Sequence, residues 1–211
     1  MDSDARVGMV PSLPGYEWIR PLGSGGFADV FLCRQELPSR EVAVKVARRD
    51  RGADGEAGIA READVMALVS GHPAVAQLYG AGRTPDGRPY LVMEYCPVAN
   101  ILDQVRANPM STDRALSMVI RAGYVHRDIK PSNIMINAFG SPVLTDFGVA
   151  EPVGADPRGG RDGFSVMWAP PEQIAGTARA HPTQDVWALG ATLWTLLMGR
   201  SPFEVEDGDN S

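Results

Sequence analysis

The residues best suited to chemistry fall in four short stretches. His126-Arg127-Asp128-Ile129-Lys130-Pro131-Ser132-Asn133 packs a candidate proton acceptor, two cations and an amide into eight positions. Asp146-Phe147-Gly148 follows the apolar pair Val143-Leu144, so a carboxylate stands at the end of a short strand, although a plain turn would account for the same triplet. Val42-Ala43-Val44-Lys45 sets an ammonium in an alternating apolar run. There it needs an anionic partner, or its stem must snorkel to water. Glu62 is a candidate partner, and solvation of a helix face is the plainer reading of the same glutamate. Gly23-Ser24-Gly25-Gly26-Phe27-Ala28-Asp29-Val30 is rich in residues that let backbone amides approach phosphate oxygens, and a glycine hairpin is the alternative. The glycines lead into a strand and not a helix, which counts against a dinucleotide-binding turn.

The elements that must position these residues change character along the chain. Short runs rich in Val, Ile, Phe and Leu, with Gly or Pro between them, predict strands at 16–22, 28–35 and 41–47. Ile59, Val65, Met66, Leu68 and Val69 among charged residues predict an amphipathic helix over 59–69, ended by Gly71-His72-Pro73. Two more strands are expected at 75–80 and 90–95, joined by the turn-prone Thr84-Pro85-Asp86-Gly87. Beyond a hinge near 93–97, a helix is expected over 112–121 with Ser111 as its cap. Short apolar pieces follow at 134–136 and 143–144, then a buried helix over 183–198 that stops at Gly199. A β-rich half thus precedes a helix-rich half.

Composition narrows the functional classes. The 211 residues carry 20 Lys+Arg against 26 Asp+Glu, a net charge of −6, which argues against a nucleic-acid-binding surface. The two cysteines, Cys33 and Cys96, make no disulfide framework and suit a reducing compartment, so a cytoplasmic location is expected. The N-terminus lacks a basic region followed by an apolar run, and the most apolar stretch, 186–198, is shorter than the roughly 20 residues of a bilayer span.

Taken in order, with Trp168-Ala169-Pro170-Pro171-Glu172 and Asp185-Val186-Trp187-Ala188-Leu189-Gly190 closing the series, these stretches resemble the eukaryotic-like serine/threonine protein kinases, in a bacterial form. The resemblance implies an α+β, two-lobed protein-kinase-like fold: a leader over 1–15, a β-rich N-lobe over 16–95, a helical but truncated C-lobe over 96–203 and an acidic tail over 204–211. It implies transfer of the γ-phosphate of ATP, with Mg²⁺ or Mn²⁺, to Ser/Thr hydroxyls of protein substrates, with no nucleic-acid partner. Gly23, Gly25 and Gly26 would cover the phosphates, Ala28 standing where the family has its third glycine. Val30 and Ala43 would enclose the adenine, Glu94 and Cys96 would offer it backbone hydrogen bonds, and Met93 would gate the pocket behind. Lys45 would hold the α- and β-phosphates and Glu62 would orient it. Asp128 would accept or orient the substrate's hydroxyl proton, Lys130 would steady the phosphoryl group, and Asn133 and Asp146 would hold the metal. Met66, Leu78, His126 and Phe147 match an apolar stack linking the lobes, and ordinary core packing fits them equally well. Asp185 would anchor the backbone around Asp128.

Other features set this chain apart. No Ser, Thr or Tyr lies between Phe147 and Phe164, and the first hydroxyl after them, Ser165, matches a structural position of the substrate-docking loop. Asp162 is expected either to replace an activation-segment phosphate opposite Arg127 or to sit in a solvated Gly-rich loop. The 32 positions from Glu94 to His126 are about three helical turns fewer than the family pattern, the shortfall falling between Ile120 and Arg121. The helices that close the large lobe in the family are also expected to be missing, leaving Glu172 without its arginine. A catalytically impaired nucleotide- or partner-binding module, or a truncated gene product, is therefore the alternative to an enzyme.

Overall fold

The computed structural model describes residues 12–97, 122–157 and 163–202. The helix expected over 112–121, its shortfall, Asp162 and the tail at 204–211 all lie outside the described residues.

Five strands form one antiparallel sheet in the order β1-β2-β3-β5-β4: β1 (Tyr16–Ser24), β2 (Ala28–Gln35), β3 (Arg40–Ala47), β4 (Leu78–Arg83) and β5 (Pro89–Glu94). The period-2 pattern of β3 sorts its side chains onto two faces. Val42, Val44 and Val46 join Phe31, Cys33 and Val92 in an outer cluster covered by Leu13, Tyr16 and Trp18. Ala43 and Ala47 face the other way, against Ile59, Val65, Met66 and Val69 of helix α1 (Gly52–Val69). Lys45 lies on this second face, between the sheet and α1.

Two differences from the sequence expectation have physical causes. α1 begins at Gly52, seven residues before the expected start. Its first turns carry three glycines, which hide the helical period, and at Gly55 an added Cβ would lie 2.9 Å from the Cβ of Arg51. β4 begins at Leu78 and not at residue 75. Val75 instead forms a parallel bridge to Leu144, flanked by Ala76 N–H to Leu144 C=O at 3.0 Å and Leu144 N–H to Ala74 C=O at 2.9 Å.

That bridge joins the halves. β6 (Tyr124–Val125) pairs with β9 (Glu151–Pro152), and β7 (Ile134–Ile136) with β8 (Pro142–Leu144). The short helix α2 (Pro171–Ile174) precedes α3 (Pro182–Met198). One apolar cluster runs from Ala43, Met66 and Leu91 through Val75 to Ile129, Leu144, Phe147 and Ala188. It contains Met66 and Phe147, with Leu78 packed against it, and the His126 ring tilts over Phe147 at 4.7 Å.

α3 starts with Pro182 at its first position and a reciprocal cap. The His181 ring nitrogen accepts the Thr183 N–H, and the Gln184 side-chain oxygen accepts the His181 N–H. It ends at Gly199, whose φ of 74° is left-handed. Gly199→Ala is expected to lower unfolding stability by about 1 kcal/mol, because a Cβ disfavours that conformation. Urea unfolding followed by circular dichroism measures it. Among the described residues, no helix is long and apolar enough to cross a membrane.

Candidate active site

Lys45 is the centre of a cluster of charges. Its Nζ lies 2.7 Å from Glu62 Oε2 and 2.7 Å from Asp146 Oδ1, so one ammonium ties β3, α1 and the residue after β8's following Thr145 together. The Glu62 side chain is 2% exposed and that of Asp146 45% exposed. Burial disfavours the Lys45 cation, yet Glu62 and Asp146 together hold its pKa above the ordinary lysine value. Burial pushes the Glu62 carboxyl up against the pull of Lys45. Asp146 is also opposed by burial, but Lys45 holds it below the usual carboxylate value. The more exposed carboxylate therefore keeps its charge.

The backbone that presents Asp146 is left-handed, with φ 63°, and so is that of Arg127, with φ 67°. Such conformations in non-glycine residues cost roughly 1–3 kcal/mol each and persist only where the surroundings over-determine them. For Arg127 the surroundings are visible. Asp185 of α3, fully buried, accepts the N–H of His126 and of Arg127, both at 2.8 Å. Gln173 of α2 donates its amide to the Arg127 carbonyl at 2.8 Å, and Thr192 of α3 donates its hydroxyl to the Ile129 carbonyl at 3.2 Å. Burial raises the Asp185 pKa, against the pull of His126 and the two backbone donors. The loop carrying Asp128 is thus pinned from the helices beneath it.

Asp128 is 6% exposed, and three donors converge on its carboxylate. Oδ1 accepts the Ser165 N–H at 2.7 Å, and Oδ2 accepts from Lys130 Nζ at 2.8 Å and Asn133 Nδ2 at 3.1 Å. A carboxylate offers roughly four acceptor positions, so one is left open. Lys130 also donates to the Ser165 hydroxyl at 2.6 Å. Asn133 donates through the same nitrogen to the Asp128 carbonyl at 2.8 Å, which turns its amide oxygen away from Asp128. The Thr145 N–H donates to the Asn133 carbonyl at 2.9 Å, so the β7–β8 hairpin brings Asn133 beside the segment leading to Asp146.

The two sets of oxygen donors suit a hard divalent cation, Asp146 through its half-exposed carboxylate and Asn133 through its amide oxygen. Among the described residues no three His, Cys, Asp or Glu side chains form a metal-binding group of their own. A cation held by one carboxylate and one amide takes its remaining oxygens from phosphates and water.

Between β1 and β2, Gly23 pairs with Val30 and Ser24 with Asp29, while Gly25 and Gly26 form the tip of the turn. The Gly25 N–H donates to the Ala28 carbonyl at 2.8 Å. At the base of this turn the Ser24 hydroxyl donates to Asp29 at 2.6 Å and accepts from Arg48 at 3.3 Å. Val30 packs against the same cluster as Ala43 and Met93, which places these three together on the α1 side of the sheet. Past β5, the Glu94 N–H donates to the Gln77 carbonyl at 2.8 Å, and Cys96 is buried. Burial pushes both thiols, Cys33 and Cys96, up to about 12.

The sequence reading missed the supports from Gln173 and Thr192, which are unremarkable polar residues on helices. It also missed Glu151, whose carboxylate lies 2.6 Å from Arg127 Nη1. Glu172 is half-buried and makes no ion pair among the described residues.

A family model described as protein kinase domain matches residues 16–211. The serine/threonine-protein kinase PknK of Mycobacterium tuberculosis (strain ATCC 25618 / H37Rv) is 33% identical over 222 residues, covering 97% of this chain and 20% of that protein. The serine/threonine-protein kinase PrkC of Bacillus subtilis is 34% identical over 206 residues, covering 90% of this chain and 31% of that protein. The maternal embryonic leucine zipper kinase of Danio rerio is 34% identical, with 94% and 30% covered. The chain therefore spans a fifth to a third of the length of these relatives.

Proposed function

Since the chain belongs to the protein kinase domain family, we propose that it transfers the γ-phosphate of ATP to serine and threonine hydroxyls of protein substrates. The observation that carries this reading is the position of Lys45, its ammonium held between buried Glu62 and half-exposed Asp146. A cation fixed between two carboxylates, on the strand paired with the one that follows the glycine turn, is suited to hold the α- and β-phosphates. Gly23, Gly25 and Gly26 cover the phosphates from above, their amides free of crowding side chains. Val30 and Ala43 enclose the adenine, the Glu94 carbonyl and Cys96 N–H offer it hydrogen bonds, and Met93 closes the pocket behind.

Asp128 takes the hydroxyl proton through its remaining acceptor position as the hydroxyl oxygen attacks phosphorus. Lys130, already on Asp128 and Ser165, offers positive charge to the phosphoryl oxygens. Asn133 and Asp146 would hold Mg²⁺ or Mn²⁺, which would supply neutralisation of phosphate charge. The Arg127-Asp128-Ile129-Lys130 spacing supports the choice of Ser/Thr over Tyr. The two buried free thiols support a reducing, cytoplasmic setting.

The test needs two readouts. Mg-ATP is expected to raise Tm, as any ligand that binds only the folded state does. Radiolabel from [γ-³²P]ATP is then expected to appear as phosphoserine or phosphothreonine on a generic protein substrate. A raised Tm with no transfer would reduce the chain to a nucleotide-binding module.

A further inference from the structure

We propose that Glu151 is a positioning residue that does the work of an activation-segment phosphate, so that the chain is active without phosphorylation of that segment. The proposal rests on the kinase reading above and names how its catalytic loop is kept in place. Arg127 immediately precedes Asp128, and its side chain is 12% exposed. A buried guanidinium must be neutralised, and an unpaired one would distort the loop that carries it. Glu151 provides the counter-charge at 2.6 Å from Arg127 Nη1 and is itself 3% exposed. The pair is not a chance surface contact. Glu151 lies opposite Val125 in the β6–β9 ladder, so the backbone that delivers the carboxylate is paired with the strand that enters the catalytic loop.

Two further observations bear on where a phosphate could sit. Residues 148–163 contain no hydroxyl to phosphorylate. The next one, Ser165, is already held by Lys130 at 2.6 Å, while its N–H is on Asp128 at 2.7 Å. Its place is beside the catalytic groups and not on Arg127. Arg127 thus has a counter-charge from within the fold, on a residue five positions after Asp146. The left-handed Arg127 is then held from three sides: Asp185 on its N–H, Gln173 on its carbonyl and Glu151 on its guanidinium.

The experiment uses the full chain in two states, as purified and after phosphatase treatment, with mass spectrometry to verify that no phosphate remains. Initial rates on a generic protein substrate are expected to agree between the two. Glu151→Gln is expected to lower kcat by about 10²-fold, the size of effect that a small misplacement of a catalytic group produces, with KM for ATP unchanged. Glu151→Asp, which keeps the charge, is expected to recover most of the rate. A phosphate-free wild type that falls to the rate of Glu151→Gln would overturn the proposal, as would a Glu151→Gln variant with wild-type kcat. Amide hydrogen exchange at His126 and Arg127 reports positioning without any turnover. Protection there is expected to fall in Glu151→Gln while that of α3 stays. Were the wild type to transfer no phosphate in either state, the kinase reading would fail, and Glu151-dependent protection would still uphold the positioning role. Unchanged protection would refute it.

Discussion

Asp128→Asn is expected to reduce phosphoryl transfer by about 10²- to 10⁴-fold, the usual contribution of a positioned general base. The substitution keeps shape and removes two things. The first is the basicity that draws the hydroxyl proton. The second is an acceptor. Three donors meet the two carboxylate oxygens, and an amide can offer an oxygen to only one side. Turning that oxygen toward Lys130 and Asn133 leaves the new NH₂ group against the Ser165 N–H. The docking loop then loses its tie, so KM for the protein substrate is expected to rise along with the fall in kcat. The rise in Tm on adding Mg-ATP should persist, because Lys45, Glu62 and Asp146 are untouched. A variant that retains wild-type kcat would remove Asp128 from the mechanism.

Lys45→Met is expected to abolish transfer and also to destabilise the fold by about 3–5 kcal/mol, the penalty for stranding one member of a buried ion pair. Glu62, 2% exposed, would be left without its cation, and Asp146 would lose the contact that holds it charged. The double variant Lys45→Met/Glu62→Leu separates the two losses. An apolar pair of similar volume can replace a buried ion pair at little cost, so stability is expected to return while transfer stays absent. Thermal unfolding and radiolabel transfer measured on the same preparations decide the matter. Activity in the double variant would show that the ammonium is not needed for the phosphates.

Much of this arrangement could be read from the chain before any coordinates. β2, β3, β7 and α3 coincide with their expected spans to within a residue, because each has a clean period or an unambiguous stop. The Lys45–Glu62 pair was an open question of partner against snorkelling, and burial decides it. What could not be read depends on tertiary pairing. A strand is expected at 75–80, but its bounds depend on the ladder with β5, which runs from Leu78 to Arg83. β6 and β9 are two residues long, below the length at which periodicity exists. Glu151 sits on one of them, so its meeting with Arg127 leaves no trace in local pattern. Asp162, the anion that the sequence alone offers opposite Arg127, lies outside the described residues.

The depth of Cys96 has a consequence for covalent chemistry. A thiol held near 12 is about one part in 10⁵ thiolate at neutral pH, and the thiolate is the species that attacks electrophiles. The Cys96 thiol is therefore expected to react slowly with acrylamide-type electrophiles and with peroxide.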